Sequence, residues 1–167
     1  MNSIDAKIRK QQSKLICSGL AVILFGVWSI VRTFLLRFID TEHFIDFFDE
    51  YDMILDRFPL SFLFTIVVIL MIIDLLFRIY IGASAINEGM GRAEKKIAYI
   101  IVAVIYMILS VSSDITSIGS YFSGESDMEV LLAAVIDMSI HLATLEIIIS
   151  AIVNRRLKKK SLQYNSL

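Results

Sequence analysis

Asp137 and His141 stand four residues apart in a mostly apolar stretch near the end of the chain, and Thr144 follows at the next helical position. On a helix all three share one face. A carboxylate and an imidazole placed this way can pass a proton between them or hold an ion. The same couple can instead orient packed helices through buried hydrogen bonds. Asp74 and Arg78 repeat the four-residue spacing in a second apolar stretch and can pair within one helix. Glu146 can reach that layer from the last stretch. Arg32 is the one charge inside the first apolar stretch, and it can neutralise Asp114 or Asp137 from across a bundle. A charge at the centre of a membrane-spanning helix costs roughly 2.5–3.5 kcal/mol on insertion scales, so such residues face protein or water and often mark function.

Other chemistry lacks its residues. Cys17 is the only cysteine and His43 the only other histidine, so no disulfide, CxxC motif or histidine-rich metal site is expected. No Walker A sequence occurs. Gly89-Met90-Gly91 is a turn pair without the rest of a dinucleotide fingerprint, and Gly82-Ala83-Ser84-Ala85 lacks the second glycine of a nucleophile elbow. The expectation is a non-enzyme with no catalytic residues, no metal, no cofactor and no nucleic-acid partner.

The elements that must position these groups are apolar blocks separated by charge. Hydrophobic residues are 57% of the 167 and charged residues 20%, against roughly 45–50% and ~25% in soluble domains. The blocks run over 15–36, 60–81, 97–113 and 130–153. Each approaches the 17–25 residues that cross a ~30 Å hydrocarbon core. The first exceeds the apolar run of a cleaved leader and no A-x-A site follows it, so it reads as a retained helix.

The segments between blocks alternate in charge. Lys7, Arg9, Lys10 and Lys14 precede the first; Arg92, Lys95 and Lys96 lie between the second and third; Arg155, Arg156, Lys158, Lys159 and Lys160 follow the fourth. The other two segments are acidic: 37–58 has seven carboxylates and two arginines, and 114–129 has four carboxylates and no base. By the positive-inside rule both termini are cytoplasmic. Within the first outer segment, Phe44, Phe47, Phe48, Tyr51, Ile54, Leu55 and Phe58 recur at helical spacing. That predicts an amphipathic interfacial helix over about 41–58, ended by Pro59. The segment 114–129 reads as a short flexible connection, and Asn87 to Gly91 as the cap of the second span and the turn into the third.

Depth follows from a rise of ~1.5 Å per residue. It puts Arg32 and Asp114 near the outer boundary, His141 near the midplane, and Asp74, Arg78 and Glu146 together in the inner third. The third span carries a polar and small stripe of Tyr99, Ala103, Tyr106, Ser110 and Ser113 that should turn inward. The fourth is two-faced: Glu146, with Ser139 and Ser150, lies about 180° from Asp137 at 100° per residue. Either that helix is central, or its second face meets another subunit.

The reading is an all-α membrane protein of the cytoplasmic membrane, a four-transmembrane-helix bundle in a single domain whose first partner is the lipid bilayer. Its expected function is that of a non-enzymatic subunit or assembly protein, as a homo-oligomer or within a larger membrane complex. The alternative is a small proton-, cation- or solute-coupled transporter or channel that uses the intramembrane Asp, His and Glu residues.

Overall fold

The computed structural model describes residues 3–39, 60–92, 97–122 and 128–164. They form four helices: α1 (Ser3–Ile39), α2 (Leu60–Gly89), α3 (Ala98–Phe122) and α4 (Met128–Tyr164). Three are long and apolar enough to cross a membrane, over Ile4–Arg32, Thr65–Gly89 and Ala134–Gln163; the apolar part of α3, Ala98–Ser112, is shorter. The expected interfacial helix over 41–58 lies outside the described residues.

Every helix outruns its apolar block. The segment from Asp114 onward continues as helix to Phe122 and is not the short flexible connection expected from its serines and glycines. The second helix passes Ile81 to end at Gly89, and the fourth carries its basic tail as helix to Tyr164. Hydropathy marks where a helix is apolar, whereas i to i−4 hydrogen bonding continues through polar residues until a stop signal. For α2 that signal is Gly91, at φ +76°. Arg92 N–H bonds to the Asn87 carbonyl at 2.9 Å and Gly91 N–H to that of Glu88 at 3.1 Å, the Schellman pattern that satisfies the last carbonyls of a helix.

Successive helices are antiparallel. α1 packs closely along α2 and α4, α3 packs on α4 and more lightly on α2, and the diagonal pairs barely meet. The start of α1, the α2–α3 turn and the end of α4 therefore share one end of the bundle. That end is basic.

The α1/α2 seam is the tightest. A Cβ on Gly19 would lie 2.7 Å from the Gly82 carbonyl oxygen, one on Gly82 2.6 Å from that of Gly19, and one on Gly89 2.7 Å from that of Gln12. Backbones touch there because nothing larger than hydrogen separates them. The core beside this seam holds Leu15, Val22, Ile81 and Ala85, with Tyr99, Ile100 and Ala103 of α3 and Ile147, Ile148 and Ala151 of α4. Outward faces are aliphatic and aromatic: Leu24 and Trp28, Leu70 and Leu76, Ile108 and Leu109, and Leu142 and Ile149 are all exposed.

Candidate functional site

The polar residues that face inward fall into three layers, and the one farthest from the basic end draws on all four helices. Its centre is Arg78 of α2, whose side chain is 9% exposed. Gly26 of α1 makes the space it occupies, since a Cβ there would come within 2.9 Å of Arg78 Cδ. Arg78 Nε lies 2.8 Å from Asp74 Oδ2. The contact is off the N–H axis, so it is an ion pair and not a formed hydrogen bond. On the other side Arg78 Nη1 is 3.8 Å from Asp137 Oδ1 of α4, beyond hydrogen-bond reach. Asp137 Oδ1 is buried and accepts no hydrogen bond. Tyr106 of α3 donates to Asp74 Oδ1 at 2.9 Å and presents its ring to the guanidinium at 5.9 Å.

One turn along α4 from Asp137, His141 Nε2 meets Ser110 Oγ of α3 at 2.6 Å. Ser110 donates its single hydroxyl proton to the Tyr106 carbonyl at 2.7 Å, so Nε2 must be the donor of the short contact. Its hydrogen is thereby assigned from the bonding pattern. Besides His141, the charges acting on Asp137 are Arg78, Asp74 and Arg32 of α1. The layer thus holds two carboxylates, one guanidinium in contact with both, and an imidazole.

Glu146 is elsewhere. Lys14 Nζ and Ser18 Oγ of α1 each donate to it at 2.8 Å, and this pair is half-exposed. The expected grouping of Glu146 with Asp74 and Arg78 is therefore corrected. Helix α2 continues so far past Ile81 that Asp74 and Arg78 sit about 23 and 17 Å from its end at Gly89, in mid-helix, while Glu146 faces α1 nearer the basic end. Arg78 lies within contact distance of Asp137, and Arg32 is among the charges that act on that carboxylate. The pairing proposed between Arg32 and Asp114 involves a side chain outside those described.

The third layer was not anticipated. Glu88 of α2, nearly fully buried, accepts Arg155 Nε at 3.0 Å, Arg155 Nη2 at 2.6 Å and Tyr99 OH at 2.7 Å. Arg155 also lies 5.8 Å from the Tyr99 ring centroid. The pair ties α2, α3 and α4 together beside Asn154, which is fully buried with both amide atoms free of hydrogen bonds. A signal existed: Arg78, Gly82, Ala85 and Gly89 are spaced at three and four residues, so Glu88 falls on the same face of a helix that has not yet ended. The glycine seam was missed likewise, although Gly19 and Gly26, and Gly82 and Gly89, are heptad-spaced.

The inward stripe of α3 supplies Tyr99, Ala103, Tyr106 and Ser110 to these layers. Thr144 is buried but bonds to its own Ile140 carbonyl at 2.9 Å, taking no part in the ionic cluster. Ser150 is buried; Ser139 is exposed and bonds back to Val135, so it is not at a helix interface within the chain.

No protein-family model, curated protein or solved structure matches the chain. Among the described residues no group of His, Cys, Asp and Glu is placed to hold a metal ion.

Proposed function

We propose that this chain is a small proton-coupled transport protein of the cytoplasmic membrane, with four spans and both termini on the cytoplasmic side. Three apolar helices and the continuous aliphatic exterior support the membrane setting, because a water-soluble surface does not carry apolar patches of that size. For the fourth span, the 25 residues of α3 extend ~37 Å, more than a ~30 Å core requires. Orientation rests on Lys7, Arg9, Lys10, Arg92, Arg156 and Lys158–Lys160 at one end of the bundle and on the positive-inside rule.

The observation that carries the transport reading is Arg78 shared between carboxylates on two helices, with Asp137 Oδ1 buried and without a hydrogen bond. A carboxylate and an imidazole one helical turn apart in an apolar layer can pass a proton between them. The subunit reading drew on the second polar face of α4. Lys14 and Ser18 engage Glu146 on that face from within the chain, which gives part of it a partner without a second chain.

The test is proton uptake into proteoliposomes holding a trapped pH dye, driven by a potassium diffusion potential. Wild type should acidify the lumen, Asp137→Asn and His141→Ala should not, and Glu146→Gln should behave as wild type. Uptake equal to that of empty liposomes, or unchanged in Asp137→Asn, overturns the reading.

A further inference from the structure

Between α1 and α2, on the side of Arg78 away from the basic end, a cleft of about 280 Å³ opens outward along Ser29, Ile30, Val67, Leu70 and Met71 and reaches Asp74. Four of those five walls are aliphatic or thioether side chains. Among the described residues Asp74 is the only charge lining the cleft, and its side chain keeps 37% of its surface exposed. We propose that this cleft binds a small monovalent organic cation, whose positive charge takes the place of Arg78 on Asp74.

The chemistry of the lining selects the class. A bound Ca²⁺ takes about six or more oxygen ligands, and the described lining of this cleft has one carboxylate and one hydroxyl. An alkyl- or arylammonium ion needs no such shell. Its hydrocarbon surface suits the walls, and a single carboxylate fixes its charge, the usual division of labour in a ligand site. Anions are repelled by Asp74, and a neutral solute leaves the carboxylate unused.

The place of Arg78 gives binding a consequence. Its guanidinium touches Asp74 at 2.8 Å and stands 3.8 Å from Asp137. A cation on Asp74 repels it toward Asp137, and closing the remaining gap by about 1 Å forms a charge-assisted hydrogen bond. Asp137 then gives up to the medium the proton that the transport reading assigns to it, so that binding of the cation is coupled to proton release. The groups facing this exchange are Asp74 and Arg78 of α2, Tyr106 of α3, His141 of α4 and Arg32 of α1. The inference names the substrate class of the site described above and rests on the transport reading.

The experiment is titration of the full chain in detergent micelles with benzyltrimethylammonium, followed by calorimetry and by a pH-indicator dye in weak buffer. Neopentylbenzene, its neutral isostere, serves as competitor. Binding should saturate at one per chain, release up to one proton, and weaken as pH falls. Asp74→Asn should weaken it at least ten-fold. Leu70→Trp, which fills the cleft and leaves every charge in place, should do the same and decides the matter if Asp74→Asn fails to fold. Equal competition by neopentylbenzene marks a cleft for lipid acyl chains and overturns the proposal, as does unchanged binding in Leu70→Trp. Proton flux that depends on Asp137, with no binding of the probe, sinks the cation site alone; binding without flux sinks the transport reading alone.

Discussion

Replacing Gly82 by alanine tests whether α1 and α2 meet backbone to backbone. The new methyl carbon would lie 2.6 Å from the Gly19 carbonyl oxygen and 2.6 Å from Ile23 Cγ1, about 0.9 Å inside the ~3.5 Å at which such atoms attract. The carbonyl belongs to a helix backbone and cannot rotate away, so the seam must widen. A gap of 0.5–1 Å forfeits a quarter to a half of each contact's attraction, and overpacking of this kind costs about 1–3 kcal/mol. Alanine also forms helix better than glycine by ~1 kcal/mol, which masks part of the loss. Gly119→Ala supplies the reference: it too is helical, and a Cβ there meets nothing within 4 Å. It should show the propensity gain alone. Unfolding of both variants in mixed dodecyl maltoside–SDS micelles, followed by circular dichroism, should put Gly82→Ala below Gly119→Ala by about 1–3 kcal/mol. Equal stabilities, or Gly82→Ala the more stable, would refute the close seam and the helix register built on it.

The Glu88–Arg155 pair makes a second prediction: Arg155→Met, which strands the buried Glu88 carboxylate, should destabilise by about 3–5 kcal/mol, Glu88→Gln by less because Arg155 keeps 27% of its side chain exposed, and the double variant by clearly less than the sum. A double-mutant cycle on the same unfolding assay reads it. At the half-exposed Lys14–Glu146 pair the same cycle should return a coupling of roughly 1 kcal/mol or less. Ser110→Ala removes the oxygen that receives the His141 Nε2 hydrogen and should move the Nε2 chemical shift followed by nitrogen NMR; an unmoved Nε2 signal would contradict this tautomer. Finally, with Cys17 replaced by alanine, a cysteine at Ser161 should react with an impermeant maleimide only from the cytoplasmic side and one at Gly119 only from outside. The reverse pattern would invert the bundle.

The Asp74–Arg78 pair, the inward stripe of α3 and the two faces of α4 were legible because each depends on spacing within one helix. Helix ends were less so. Hydropathy placed the end of the second span at Ile81, and with it Asp74 and Arg78 too near the basic end and Glu88 in a loop. The real stop, Gly91 with its positive φ, falls in the Asn87–Gly91 cap that the glycines indicated, a backbone signal that hydropathy does not register. Arg155 was read as one cation of a tail, although its length lets it turn back to Glu88.

What the sequence by itself determined is which residues share a helix face and the likeness of the exterior to lipid, since 100° and 1.5 Å per residue hold for any α-helix. Which faces meet, and at what height, belonged to the tertiary structure. Sliding one helix by a single turn moves every partner by ~5.4 Å, more than the reach of an ion pair. The register here is set where Gly19 and Gly26 meet Gly82 and Arg78. That contact sends Arg78 between Asp74 and Asp137 and leaves Glu146 to Lys14. It is also what turned the sequence's scattered charges into one ionic layer.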